Sequence, residues 1–278
     1  MPRIFVTSFA VAAIAVACSP LPQPAPEARA EPPPVAAAPA PIAAVPVVAP
    51  PVAIAVPVAS AVAPVAPVVE RLAVDGDLPI SFVRSVDGAP PRVVFLPGLC
   101  SNGGAYLHGF AAAARAHGGV VALDGDRPCG GSADFHSITS DAAHEEPRIE
   151  KALRALGAEP DGARKIMLIG YSLGATLAEN LVKRSPERYD RVLLIGSPRD
   201  PQPARLKSAR AVATMSCSLD VPQRMRGAAR ALDSLGIPSR YFEMRGCTHG
   251  NLADGDVRFD DALGWLESEG GPVIAPSR

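Results

Sequence analysis

The chain is 278 residues long, with 48% hydrophobic residues, 31 prolines and a formal net charge of -1. A charge this close to zero, with no basic run and no interleaving of basic and aromatic residues, excludes the electrostatic footprint of a nucleic-acid-binding protein. The hydrophobic average misleads, because the first quarter of the chain inflates it and is organised differently from the rest.

Met1–Arg3 carries one positive charge, residues 4–17 are uncharged and largely apolar, and Ala15, Val16 and Ala17 set small residues before Cys18. This is the layout of an export signal. A bilayer span takes about 20 apolar residues, so the run is short for a permanent transmembrane helix. The segment resembles a bacterial lipoprotein signal, with Cys18 as the lipid-bearing first residue of the mature chain and Ala15 where a bulkier aliphatic residue is usual. The resemblance implies an exported lipoprotein of the bacterial cell envelope, held to a membrane by its anchor. Ordinary cleavage to a secreted or periplasmic soluble protein, or an uncleaved anchor, is the alternative. Residues 19–69 are almost entirely Pro, Ala and Val. Proline removes backbone donors and small uniform side chains specify no packing, so this stretch reads as a disordered linker of polyproline II character. At roughly 3.1 Å per residue, its fifty or so residues reach on the order of 150 Å when stiff.

Residues 70–278 read as one domain of about 200 residues, enough to bury a proper core. Strands are predicted over 80–86, 92–96, 120–123, 165–169, 191–195, 211–215 and 240–244, and helices over 105–116, 147–156, 173–184, 222–235 and 258–267. After the first, the strands are nearly continuous apolar runs, as expected when both sheet faces are covered. The fold class is therefore α/β, a mostly parallel sheet with helices on both faces. Ligands on such sheets sit at the carboxyl ends of the strands.

Setting Cys18 aside leaves Cys100, Cys129, Cys217 and Cys247, which allow three pairings. Cys100 and Cys129 each follow an apolar strand and the other two close later strands, which favours Cys100 with Cys129 and Cys217 with Cys247. Four free thiols in a reducing compartment is the alternative, and the lack of any CxxC spacing disfavours a metal site.

Gly170-Tyr171-Ser172-Leu173-Gly174 joins a predicted strand to a predicted helix. Strand, GxSxG, helix is the setting of a nucleophile elbow. A turn sharp enough to strain the serine and expose its oxygen leaves no room for side chains two residues to either side, and glycine has none. With this motif the domain resembles the α/β-hydrolase family from about Pro79 to Trp265. Residues 92–98, RVVFLPG, are similar to the strand and loop that supply one oxyanion-hole amide, with Pro97 where many members have histidine. Residues 124–132, DGDRPCGGS, resemble the family's Asp-Arg-Gly-His-Gly-x-Ser segment at Arg127, Gly130 and Ser132, with one extra residue before the arginine. Ser185-Pro186-Glu187 after the elbow helix is also similar, and Asp220 and His249 follow Ser172 in the family's order of nucleophile, acid and histidine.

The resemblance implies a serine hydrolase that acts on a small-molecule or polymer-borne ester with no cofactor and no metal. A serine hydroxyl is a poor nucleophile at neutral pH, so His249, in the loop after the last strand, is the expected base. Asp220 is expected to orient it, with helix N-capping beside Pro222 as its ordinary role and Asp200 as the runner-up. The amides of Leu99 and Leu173 are the expected oxyanion hole. His108, His117, His136 and His144 read as solvated. His136, Asp141, His144 and Glu145 read as a solvated loop instead of a metal site, and Asp124 and Asp126 as loop-stabilising. Residues 197–208 are too short for a large lid, so the site should be open, with any cover coming from residues 132–146. An open site favours small soluble esters, thioesters or acyl groups on envelope polymers over oil droplets. A catalytically silent scaffold with a binding or structural role and an acyltransferase on the same triad are the rival readings.

Overall fold

A computed structural model describes residues 67–131, 133–158 and 165–269 of the protein. The expected export signal, Cys18, Ser132 and nearly all of the expected linker lie outside the described residues. The strands are β1 (Glu70–Leu72), β2 (Ile80–Val83), β3 (Val93–Leu96), β4 (Val120–Ala122), β5 (Arg127–Pro128), β6 (His136–Ser137), β7 (Ile166–Tyr171), β8 (Tyr189–Ile195), β9 (Ala211–Cys217) and β10 (Ser239–Met244). The helices are α1 (Gly103–His108), α2 (Ala111–Ala116), α3 (Ala142–Ala155), α4 (Leu173–Arg184), α5 (Pro203–Leu206), α6 (Pro222–Ser234) and α7 (Gly255–Glu269).

Eight strands make one sheet in the order β1-β2-β4-β3-β7-β8-β9-β10. β2 pairs antiparallel with β1 and with β4, and every other neighbouring pair in this sheet is parallel. The period-two alternation of a strand divides the apolar residues between two cores. Val94 and Leu96 of β3 pack on one face with Leu177, Leu181 and Val182 of α4, Ile149 of α3 and Met225 of α6. Val93 and Phe95 pack on the other face with Ala113 of α2 and Phe259 and Leu263 of α7. Each face is buried by helices, which is why the central strands β3 and β7 are nearly continuous apolar runs, while the edge strands β1 and β10 carry polar residues. The α/β class and the mostly parallel sheet expected of the sequence are present. No helix among the described residues is long and apolar enough to cross a membrane.

Strand ends shift by a few residues, and three of the expected helices differ in their bounds by more than a residue. The helix expected over 105–116 is two helices, broken at Gly109 and Phe110, where fully buried Phe110 stacks on Phe259 with ring centroids 4.0 Å apart. Packing of one large ring overrides the helical run. The helix expected from Pro147 starts at Ala142, because Asp141 caps it by accepting the Ala143 N–H at 2.9 Å. The last helix starts at Gly255, not Arg258. The short edge strand β1 and the β5–β6 hairpin were not expected at all.

Candidate active site

The carboxyl ends of β3, β7, β8, β9 and β10 meet at one rim, and the expected catalytic residues all lie on the turns that leave it. At the end of β7 the backbone of Ser172 takes φ 53 and ψ -115. A non-glycine residue at positive φ costs of order 1–3 kcal/mol and persists only where its surroundings impose it. The flanking glycines show what imposes it. A Cβ on Gly170 would lie 2.4 Å from the Gly174 carbonyl oxygen, and one on Gly174 would lie 2.0 Å from the Leu96 carbonyl oxygen. The start of α4 is thus pressed against both its own strand and the end of β3.

The next loop touches the serine. A Cβ on Gly98 would sit 3.1 Å from Ser172 Cβ, so the Pro97-Gly98-Leu99 turn passes directly over the elbow. Leu99 itself is 65% exposed, and its side chain takes no part in the core. Leu173 opens α4, where the first amides have no partner within the helix and the macrodipole is positive.

His249 Nε2 lies 3.0 Å from Ser172 Oγ, and its Nδ1 lies 2.8 Å from Asp220 Oδ2. With Nδ1–H donating to the carboxylate, Nε2 is left to accept from the serine hydroxyl. Asp220 does not cap α6, whose N-cap Val221 makes no side-chain bond. The alternative acid, Asp200, is 82% exposed and pairs with Arg224 at 3.5 Å. The Cys217–Cys247 disulfide joins the segments carrying the acid and the histidine, and the Leu219 N–H donates to the Cys247 carbonyl at 3.1 Å. The second disulfide, Cys100–Cys129, ties the loop after Leu99 to the β5–β6 hairpin.

Two contributors escaped the sequence reading. A Cβ on Gly196, at the end of β8, would lie 2.9 Å from Asp220 Oδ2 and 3.2 Å from the imidazole, so only glycine leaves room for the acid–base pair. The Tyr171 hydroxyl accepts the Gly250 N–H at 2.5 Å, and its ring lies 5.2 Å from the His249 ring. Burial pushes the Tyr171 phenol pKa well up, so it stays neutral. A glycine ending a parallel strand was a readable signal for Gly196; nothing in the sequence marks the Tyr171 contact.

Other expectations divide. His108 is exposed. His117 is not solvated: its ring is 12% exposed and bridges Glu267 at 2.9 Å and Asp260 at 3.0 Å. The Glu267 bond raises its pKa against the opposing effect of burial. His136 is a strand residue, its backbone bonded to Ser101. His144 lies on α3, exposed, 2.6 Å from Asp126. Asp126, His144 and Glu145, not the expected set with His136 and Asp141, bring ligand-type atoms within 4.8 Å of one another. Those atoms are already engaged, since Glu145 accepts from the Thr139 N–H at 3.0 Å and from Arg148 at 2.7 Å. Arg148 also forks onto Asp77, at 2.9 and 2.7 Å, which makes this an ion-pair network around α3. Asp124 is buried and accepts the Gly103 N–H at 2.6 Å, bracing the start of α1. Residues 197–208 hold only the short α5, so no lid rises there.

No protein-family model matches the sequence, and no curated protein matches it. Solved structures do match the fold. Esterase PE8 superposes with a TM-score of 0.51 at 22% identity, covering 67% of this chain and 96% of that one. Carboxylesterase CesB of Bacillus subtilis gives 0.51 at 13% identity over 75% and 94%. S-formylglutathione hydrolase FrmB of Staphylococcus aureus gives 0.52 at 11% identity over 72% and 98%. Likeness at such identities speaks for architecture, and with the sheet order and elbow described above it establishes that this chain has the α/β-hydrolase fold.

Proposed function

We propose that the domain is a serine hydrolase that cleaves carboxylic esters or related acyl compounds through a covalent acyl-enzyme. The observation that carries this reading is the unbroken relay from Ser172 to His249 at 3.0 Å and from His249 to Asp220 at 2.8 Å, built on a serine held at positive φ. In the first half-reaction His249 Nε2 takes the hydroxyl proton as Ser172 Oγ attacks the carbonyl carbon. The oxyanion is held by the amides of Leu173 and Leu99, and Asp220 stabilises the imidazolium. The imidazolium then gives its proton to the departing alcohol. Water, deprotonated by the same nitrogen, releases the acid and restores the serine. Each step uses only groups of this chain, so no cofactor is called for.

The short connection over 197–208 supports an open site and small or polymer-borne esters. We also infer export, which the two disulfides support because such bonds persist in oxidising compartments. Lipidation at Cys18 would then place the enzyme on the envelope membrane. The test is labelling of the oxidised protein with a fluorescent fluorophosphonate. Labelling lost in Ser172→Ala and His249→Ala is the expected result, and an unlabelled, folded wild type would leave a non-catalytic binding role. Product analysis with an added alcohol, scored as new ester against free acid, separates acyl transfer from hydrolysis.

A further inference from the structure

A groove of about 400 Å³ starts beside the proposed catalytic centre, between the Gly250-Asn251-Leu252 turn that follows His249 and the Cys100-Ser101-Asn102 turn that follows Leu99. Its floor is Tyr106, whose ring packs 4.9 Å from that of Tyr171. A second groove of about 440 Å³ runs on toward Arg71 and Val69, and the two share Asn102, Ala105 and Phe135 as a common wall.

The polar groups on this wall are already engaged. Asn102 accepts from the Ala105 N–H at 2.9 Å and donates to the Asp134 carbonyl at 3.2 Å. The Ser101 hydroxyl donates to the Gly98 carbonyl at 3.0 Å, and the Asn251 amide donates to Thr248 Oγ1 at 3.3 Å. The near groove thus presents a mixed lining to a ligand, with Tyr106, Leu252 and Phe135 supplying the apolar part.

Phe135 is an exposed aromatic, 46% accessible, on a rigidly held backbone. Its carbonyl accepts the Cys129 N–H at 3.0 Å, and Cys129 is bonded to Cys100. The neighbouring His136 exchanges two backbone hydrogen bonds with Ser101, at 3.0 and 3.3 Å. A large apolar side chain standing in solvent, on a hairpin clamped covalently to the loop that passes over Ser172, is a wall built for a ligand. The covalent clamp also explains how a hairpin with strands of only two residues each can hold a wall in place.

We propose that Phe135 sets the length of the acyl group the enzyme accepts, closing the near groove against the far one. The near groove begins one residue past the Leu99 amide assigned to the carbonyl oxygen, and in this proposal it receives the carbonyl's own substituent. A cavity of roughly 150 Å³ takes one benzene ring, so the near groove, more than twice that size, suits an acyl group of short to medium length, and a long lipid chain must reach past Phe135. Removing the Phe135 ring opens the way to the far groove. This inference rests on the serine-hydrolase reading.

The test is kcat/KM of the oxidised protein for p-nitrophenyl acetate, butyrate, octanoate and palmitate, in wild type, Phe135→Ala, Phe135→Leu and Ala105→Trp. Fluorophosphonate labelling and circular dichroism are run on each. The expected result is that the palmitate-to-butyrate ratio rises at least tenfold in Phe135→Ala and by less in Phe135→Leu, mainly through KM, while Ala105→Trp lowers octanoate more than acetate. Labelled, folded variants with the wild-type chain-length profile would overturn this proposal alone. A folded wild type that neither labels nor hydrolyses any ester would overturn the hydrolase reading and this proposal with it.

Discussion

The two disulfides close loops of almost equal size, with sequence separations of 29 and 30, so removing either should have the same effect on stability and different effects on activity. For a closed loop of about thirty residues, lost chain entropy gives about 3.7 kcal/mol at 25 °C for each bond. With a urea slope of roughly 2 kcal/mol per molar, each double cysteine-to-alanine variant should unfold about 1.8 M earlier. The activities should separate because the bonds hold different things. Cys217 lies three residues before Asp220, and Cys247 lies two before His249. A catalytic group misplaced by about 1 Å costs on the order of 100-fold. The Leu219–Cys247 and Gly246–Ser218 hydrogen bonds, at 3.1 and 3.0 Å, still align the two loops. We therefore expect Cys217→Ala/Cys247→Ala to lower kcat about tenfold with little change in KM. Cys100→Ala/Cys129→Ala should act chiefly on KM, through the groove wall. Urea unfolding followed by circular dichroism, with steady-state kinetics in the absence of urea, measures both. Equal losses of kcat in the two variants, or full kcat in the first despite the expected loss of stability, would refute the bracing argument.

Tyr171→Phe removes the acceptor of the Gly250 N–H, and because Gly250 is exposed the loss is that of one hydrogen bond, about 0.5–1.5 kcal/mol. The expected outcome is a lower thermal midpoint and a kcat reduced about tenfold, and an unchanged kcat contradicts the contact's role. Gly174→Ala forces a Cβ to 2.0 Å from the Leu96 carbonyl oxygen, so α4 must move off β3. Overpacking of this kind costs about 1–3 kcal/mol, and wild-type labelling of Ser172 in that variant would show the elbow is looser than described. His117 gains its charge-favouring partners on folding, so its folded pKa lies above the unfolded one. Its contribution is complete below the unfolded histidine value of about 6.5 and is lost as pH rises through the folded pKa. Thermal midpoints measured above and below that range should fall with rising pH more in wild type than in His117→Gln, and identical slopes would sink the argument.

The parts of this molecule that were legible in the sequence are those written locally. The strands are short apolar runs because both faces of the sheet are covered, and the elbow shows itself because its two glycines face backbone atoms only a few residues away or on the neighbouring strand. Ser172 was read from the GxSxG motif, and Asp220 and His249 from the family's chain order and their place after strands; the parallel pairing of β8, β9 and β10 gathers those strand ends at one rim. The sequence favoured Asp220 over Asp200, and in the structure Asp220 meets His249 while Asp200 pairs with Arg224. What stayed hidden depends on distant partners. Tyr171 meets Gly250 across 79 residues, Arg148 meets Asp77 across 71, and His117 meets Glu267 across 150. No local pattern records such contacts, so His117 read as solvated and the α3 ion-pair network went unseen. Phe110 ended a helix early for the same reason, through its stack on a ring far along the chain.

The central claim is that Ser172 becomes acylated, and peptide mapping of the acyl-enzyme tests it most directly. The oxidised protein is mixed with p-nitrophenyl butyrate, acid-quenched within the first turnover and digested, and the fragments are weighed. We predict a butyryl adduct on Ser172 in wild type, matched by a burst of p-nitrophenol, and no adduct in Ser172→Ala. Hydrolysis at the wild-type rate by Ser172→Ala, or an adduct mapping to another residue, would contradict the account.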